Sequence, residues 1–348
     1  MYKVSIICTN YNKAPWISDA LDSFLSQVTD FEVEIIVIDD ASTDDSREIL
    51  KSYQKKSSGK IKLLFNETNI GITKTWIKAC LYAKGKYIAR CDGDDYWTDS
   101  FKLQKQVDVL EASKRSRWCN TDFDFVNSQG DLLYANAFSS GHTPLTDTYE
   151  KVLALKGMTM ASTWLVDADL MRQVNQKINV DTPDDTFDIQ LELFQLTQLT
   201  YIKDSTTVYR MTTDSDSRPT DTPKMIHRIQ KLLDTQLNYL KKYNQVDTKE
   251  VSKLLLQQDA KQEIRIHELS CFIQELQQTI VDKTKQQETR EVELQNVIEE
   301  QKNQLSELRQ QYHAIINSRQ WKYTSKLIAF IRRKNESYFI ICSLQQIQ

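Results

Sequence analysis

The sequence predicts an α/β fold, a mostly parallel sheet with helices on both faces, followed by a separate helical region toward the C-terminal end. Three observations lead there. Short, nearly continuous apolar runs at 4–8, 33–38, 61–65 and 87–91 alternate with stretches of helical periodicity, the pattern of strands buried on both faces. Three of those runs empty into polar clusters, at 9–12, 39–40 and 92–95, and open parallel sheets bind ligands at the carboxyl ends of their strands. Past Pro223 neither Gly nor Pro occurs again, and Gln, Glu, Lys and Leu dominate.

At 348 residues the chain has room for one large domain with an appendage, or for two domains. An apolar content of 40% excludes general disorder, and a net charge of −3 excludes the broad basic footprint of a nucleic-acid-binding protein, so no nucleic-acid partner is expected. The six cysteines show no C-x-x-C or finger spacing, which points away from zinc and from a disulfide framework and toward a reducing cytoplasm. Residues 1–9 read as strand and not as a leader, and no apolar run approaches the ~20 residues of a spanning helix. Any membrane contact is expected from the side.

Residues 4–8 form the first strand and Thr9-Asn10-Tyr11-Asn12 a polar turn, after which Pro15 opens a helix with Ile17, Ala20, Leu21, Phe24 and Leu25 on one face. The second strand ends in Asp39-Asp40, and residues 42–45 carry capping chemistry for a helix through about Gln54. After the third strand, a helix over 73–83 delivers the chain to the strand at 87–91 and its terminal Asp92-Gly93-Asp94-Asp95. Carboxylates so crowded repel one another, and burying them is costly unless a cation or a set of donors compensates. Hard oxygen ligands at a strand end suit Mg²⁺ or Mn²⁺, which bring phosphates with them; the alternative is a solvated acidic turn capping the next helix. That helix, from about Phe101, is amphipathic through Leu103, Val107 and Leu110. A strand over 118–126 should leave the parallel half, and Asn127-Ser128-Gln129-Gly130 is a turn. Residues 139–157 carry little pattern and read as a binding loop or a plain connector. Asp184-Asp185 precedes a helix over 188–199, where paired acids serve either chemistry or the helix dipole.

Four motifs in this order resemble the family 2 glycosyltransferases with a GT-A fold: residues 4–12, the strand end Val37-Ile38-Asp39-Asp40-Ala41-Ser42-Thr43-Asp44, Asn69-Ile70-Gly71, and the 91–97 cluster. The resemblance covers about residues 1–222. It implies that Thr9 and Tyr11 wall the nucleotide base and that Asp39 accepts its N–H, which favours uracil or thymine over adenine. It places Asp92 and Asp94 near ribose and diphosphate, and Asp95 with Asp94 on the metal, Mn²⁺ or Mg²⁺. Asp185 becomes the catalytic base of an inverting transfer, taking the acceptor hydroxyl proton as that oxygen attacks the anomeric carbon opposite the leaving diphosphate. Trp164 lies under the acceptor or in the core. Val208-Tyr209-Arg210 and residues 215–218 resemble the segment that closes over the diphosphate, without its usual histidine, and offer Arg210 or Arg218 as phosphate contacts. Where many members carry Ala-Arg-Asn, this chain has Thr75-Trp76-Ile77, so the phosphate arginine is missing and Lys74 is the nearest substitute.

The implied activity moves a sugar from a UDP or dTDP donor to a hydroxyl of a glycan or lipid-linked glycan, in bacterial cell-surface polysaccharide synthesis, at the cytoplasmic face of the membrane. Two rivals stand beside it. A sugar-nucleotide nucleotidyltransferase wants a glycine-rich phosphate loop after the first strand, and residues 9–15 hold no glycine. A non-catalytic nucleotide-binding scaffold has no use for acids at both Asp95 and Asp185.

The expected domains are 1–222, a helical or coiled-coil region at 223–316, and a basic segment at 317–348. Leu269, Ile273, Leu276 and Ile280 step by four, three and four, and Leu294, Ile298, Leu305, Leu308, Tyr312 and Ile315 resume the rhythm, which predicts a homo-oligomer. Residues 309–334 contain seven Lys or Arg and no acid, interleaved with aromatics, and read as a peripheral membrane contact or as a packing helix with a solvated basic face.

Overall fold

Seven consecutive buried residues make β1 (Val4–Asn10) the centre of the sheet. In the computed structural model, which describes residues 2–182, 184–212, 219–318, 322–323 and 326–333, β1 pairs in parallel with β2 (Val33–Asp39) and β4 (Tyr87–Arg90), and β3 (Ile61–Phe65) lies outside β2. Alternate β1 residues feed two cores, as a period of two requires. Val4, Ile6 and Cys8 pack with α1 (Ile17–Leu25), α2 (Ser46–Lys56) and α4 (Lys102–Ala112), while Ile7 packs on the other face with α3 (Ile72–Tyr82).

Beyond β4 the sheet turns mixed, in the order β3-β2-β1-β4-β8-β6-β9-β5 with β7 on β6. Its remaining strands are β5 (Tyr96–Trp97), β6 (Ser116–Val126), β7 (Leu132–Tyr134), β8 (Leu165–Asp167) and β9 (Gln198–Arg210). The strand expected over 118–126 is β6, and it leaves the parallel half by pairing antiparallel with β8. Gly85, before β4, is required by proximity: a Cβ there would lie 2.6 Å from the Ser5 nitrogen.

Two local expectations change. The stretch 139–157 contains α5 (Tyr149–Leu155), whose Thr148 cap accepts the Lys151 N–H and whose Tyr149, Val152 and Leu153 are buried. A 3-10 turn at Ala161–Thr163 precedes β8, and α6 (Ala168–Asn175) follows. The helix expected over 188–199 is α7 (Asp185–Leu196), starting early because Asp184 caps it by accepting the Phe187 N–H. The polar sequence after it is the long strand β9.

The boundary expected at 222 falls inside a compact unit that runs from Met1 to Lys261. Tyr239 of α8 (Thr222–Lys242) and Val251 near the start of α9 (Thr248–Asn317) share a buried cluster with α5 and α7, so composition changes at a point where packing does not. The second unit comprises residues 262–348, and its described part is helical, with its large apolar side chains exposed. Among the described residues no helix is long and apolar enough to cross a membrane. Arg218 and most of 317–348 lie outside the described residues.

Candidate active site

The parallel register sets Asn10 beside Asp39 and Ile7 beside Arg90, so the ends of β1, β2 and β4 meet at one edge. There Thr9 Oγ donates to Asp92 Oδ1 at 2.8 Å, joining the first turn to the acid cluster. Asn10 Nδ2 donates to Asp39 Oδ1 at 2.8 Å, while the Ser42 N–H and Arg47 Nε donate to Asp39 Oδ2 at 3.1 and 2.6 Å. Asp39 is therefore fully buried and held by three protein donors, whereas Tyr11 stands exposed. Asp40 accepts the Ile70 and Gly71 N–H groups, which fixes the Asn69-Ile70-Gly71 turn.

The three acids after β4 diverge. Asp92 also faces Arg90 Nε at 3.4 Å, and Asp94 Oδ2 takes the Lys13 ammonium at 2.6 Å. Asp95 is buried and accepts from Ser162 Oγ at 2.5 Å and from the Arg210 N–H at 3.0 Å. Burial, and then the neighbouring Asp94 carboxylate, push the Asp95 carboxyl well above the ordinary range. Burial works to lower the Lys13 ammonium, but Asp94 outweighs it and the net shift is upward. Gly93 lets this loop close on β1, because a Cβ there would come within 2.9 Å of Asn10 Oδ1.

Arg210 is a brace and not an open cation. Its Nε donates to the Asp94 carbonyl at 3.1 Å, its terminal nitrogen reaches Asp19 at 2.7 Å, and its guanidinium lies over Tyr96. Lys74 pairs with Asp181 at the surface. Trp164 belongs to the core: it is 1% exposed, with its indole N–H on Thr159.

Asp185, in the first turn of α7, is buried against Arg90, with Arg90 Nη1 on Oδ2 at 2.6 Å and Nη2 on Oδ1 at 3.4 Å. Burial raises the Asp185 carboxyl, and Arg90 pulls against that rise. Asp184, beside it, is committed to capping α7 and to Arg228. Behind the Ala161–Thr163 turn, the buried ammonium of Lys102 lies over the Trp97 ring and donates to Gln106 at 2.6 Å and to the Thr163 carbonyl at 3.1 Å.

Sequence reasoning missed Arg90, Lys13, Ser162 and Lys102. Arg90 and Lys102 sit inside regular elements, where a lone cation reads as a solvated face. Ser162 lies between Thr159 and Thr163, small hydroxyl residues that give no local signal.

Residues 5–154 match Glycosyl transferase family 2. An uncharacterized protein of Mycobacterium tuberculosis is 40% identical over 116 residues, 33% of this chain and 34% of that protein, so the match spans about a third of that relative's length. The putative teichuronic acid biosynthesis glycosyltransferase TuaG of Bacillus subtilis is 32% identical over 183 residues, 52% of this chain and 68% of TuaG. Among solved structures, S. aureus TarS in complex with UDP-GlcNAc has the same fold at a TM-score of 0.56 and 18% identity, covering 73% of this chain and 70% of that one. The GT-A fold, with acids at the ends of β2 and β4 meeting the hydroxyl and amide side chains at the end of β1, is that of a glycosyltransferase. The chain belongs to glycosyl transferase family 2.

Proposed function

We propose that the chain is an inverting glycosyltransferase that moves a sugar from a UDP or dTDP donor to a hydroxyl of a glycan or lipid-linked glycan, in bacterial cell-surface polysaccharide synthesis. The observation that carries this reading is the meeting of Thr9, Asp39, Asp92, Asp94 and Asp95 at one sheet edge, joined through Arg90 to the separate acid Asp185. Tyr11 and Thr9 wall the base, and Asp39 accepts its imide N–H. Oδ1 of Asp39 carries one protein donor and keeps a lone pair, but the carboxylate is fully buried, so side chains that cover it, such as Arg47, have to shift for the base to reach it.

Asp94 and Asp95 fit a divalent cation, Mn²⁺ or Mg²⁺, of the kind that uses one or two protein carboxylates and fills its other positions with water and phosphate oxygens. Among the described residues no group of three or more His, Cys, Asp or Glu is placed to hold a metal ion, so the cation proposed here rests on these two carboxylates alone. The upward push on Asp95 is a burden that a nearby dication relieves. When bound, the cation neutralises charge on the leaving diphosphate. Asp185 accepts the proton from the attacking hydroxyl, and Asp92 and Lys13 orient the donor at the acid loop.

The reading extends to the C-terminal region, where we place self-association through about residues 255–316 and, through the basic segment at 317–348, contact with an anionic membrane surface at the cytoplasmic face.

The test is a screen of nucleotide sugars for hydrolysis and thermal stabilisation, with and without Mn²⁺, followed by two variants. Asp95→Asn is expected to weaken metal-dependent UDP binding on the order of tenfold or more; Asp185→Asn should leave it nearly intact and abolish transfer. Equal loss of UDP affinity in both would end this division of roles. Binding without turnover of any donor would favour the scaffold reading.

A further inference from the structure

We infer that Arg90 is a positioning residue for the transfer: its guanidinium ties Asp185 on the acceptor side to Asp92 on the donor side and fixes the direction in which the Asp185 carboxylate faces. This rests on the reading of Asp185 as the base proposed above.

Arg90 ends β4 and is 2% exposed. Two of its nitrogens take the two Asp185 oxygens at 2.6 and 3.4 Å, its Nε faces Asp92 Oδ1 at 3.4 Å, and its plane lies over the Trp76 ring at 4.7 Å. A planar fork held by two carboxylates and an aromatic plate has one orientation, and a lysine ammonium cannot reproduce it. Trp76 occupies the position on α3 where many members of the family carry an arginine, so the helix supplies a wall for a cation in place of a cation. With its nitrogens engaged and its face covered, Arg90 is a poor candidate for a phosphate contact.

The surroundings show why Asp185 needs it. From β4 and the loop after it come Arg90 and Asp92, from α7 and its cap Asp184 and Asp188, and from α3 Cys80. Burial and the neighbouring acids favour the protonated carboxyl; Arg90 is the group that opposes them. A protonated Asp185 cannot accept a hydroxyl proton. Arg90 thus favours the charged form of the side chain and aims it, through a contact that bridges 95 positions of sequence.

The experiment compares the full chain with Arg90→Gln, which removes charge and fork, and Arg90→Lys, which keeps only the charge. In protein labelled with ¹³C at aspartate Cγ, with Asp185→Asn assigning the signal, the Asp185 titration should move up by about 1–3 pH units in Arg90→Gln. A smaller rise is expected in Arg90→Lys, which is read in the same way should Arg90→Gln fail to fold. UDP affinity with Mn²⁺, measured by calorimetry, should stay within about threefold, while hydrolysis of UDP-glucose or whichever UDP-sugar the screen turns over falls roughly 100-fold or more in kcat with little change in KM. An Asp185 titration unmoved in both variants would overturn the inference. So would a tenfold loss of UDP affinity, since Arg90 would then be a donor contact. A wild-type chain that neither binds UDP nor turns over any donor would instead remove the glycosyltransferase reading, and the titration would still decide whether Arg90 governs Asp185.

Discussion

Asp39 and Lys102 are both fully buried, and each makes a prediction that its environment dictates. Asp39 accepts from Asn10, Ser42 and Arg47, so its carboxylate is fixed by protein donors where we propose that the base binds. Asp39→Ala should cost on the order of 1–3 kcal/mol of UDP affinity and also lower stability, because Arg47 loses its carboxylate. Calorimetry and thermal denaturation read the two effects separately, and tighter binding of GDP than UDP by the unmodified chain would refute the base assignment. Lys102 has no carboxylate partner among its hydrogen bonds, and burial lowers its pKa from 10.5 to about 8. Between those values the unfolded chain holds a proton that the native state has released, so this side chain makes stability rise with pH through the window, by about 3 kcal/mol in all. Four buried thiols at Cys8, Cys80, Cys91 and Cys119 are pushed up and act in the opposite sense, so the difference from a variant is the informative quantity. Denaturant midpoints at pH 7.5 and 10 should show Lys102→Met losing ground to the unmodified chain as pH rises. The lost hydrogen bonds set the offset of that difference and not its slope.

At the scale of elements, legibility followed locality. β1, β2 and β4 were readable because each is an apolar run whose polar end is contiguous in sequence, and the edge where they meet is a property of any parallel sheet. β9 was not, since its Thr-rich polar face becomes a strand only by pairing along β6. Arg90 escaped notice for the same reason, its partner Asp185 being brought up by α7. The apolar steps of α9 were legible, and Leu269, Ile273, Leu276, Ile280, Leu294, Ile298, Leu305, Leu308, Tyr312 and Ile315 are all exposed. A 70-residue helix is ~105 Å long, and the rhythm of its exposed stripe is the basis on which we propose pairing with a second copy. The polar middle at Lys283, Gln287 and Arg290 weakens the register there. Light scattering of the full chain should report an oligomer, and Ile273→Asp with Ile280→Asp should shift it toward monomer without changing UDP affinity. A wild-type monomer at tens of micromolar would assign the stripe to a different protein partner.

The whole molecule divides where packing stops, at Lys261, and not where composition changes. Glu192 explains why. It is fully buried on α7, and its two oxygens are taken by Lys242 Nζ at 2.5 Å and the Tyr243 hydroxyl at 2.6 Å, both from the end of α8 and the residue after it. Tyr239 and Val251 close the same cluster over Tyr149, Leu153 and Leu191. A chain ending after Leu233 keeps the whole of the matched family segment but strips Glu192 of both partners and opens an apolar face. The lost apolar burial and the loss of the Glu192 pairings both lower stability. A chain ending after Lys261 keeps every one of those contacts and discards the exposed stripe from Ile264 onward. The longer truncation should therefore be a monomer with the thermal stability and UDP affinity of the full chain and no affinity for anionic liposomes. The shorter one should melt well below it or fail to accumulate in soluble form. Equal melting temperatures for the two would place the boundary back near 222 and make α8 and the start of α9 dispensable to the catalytic unit.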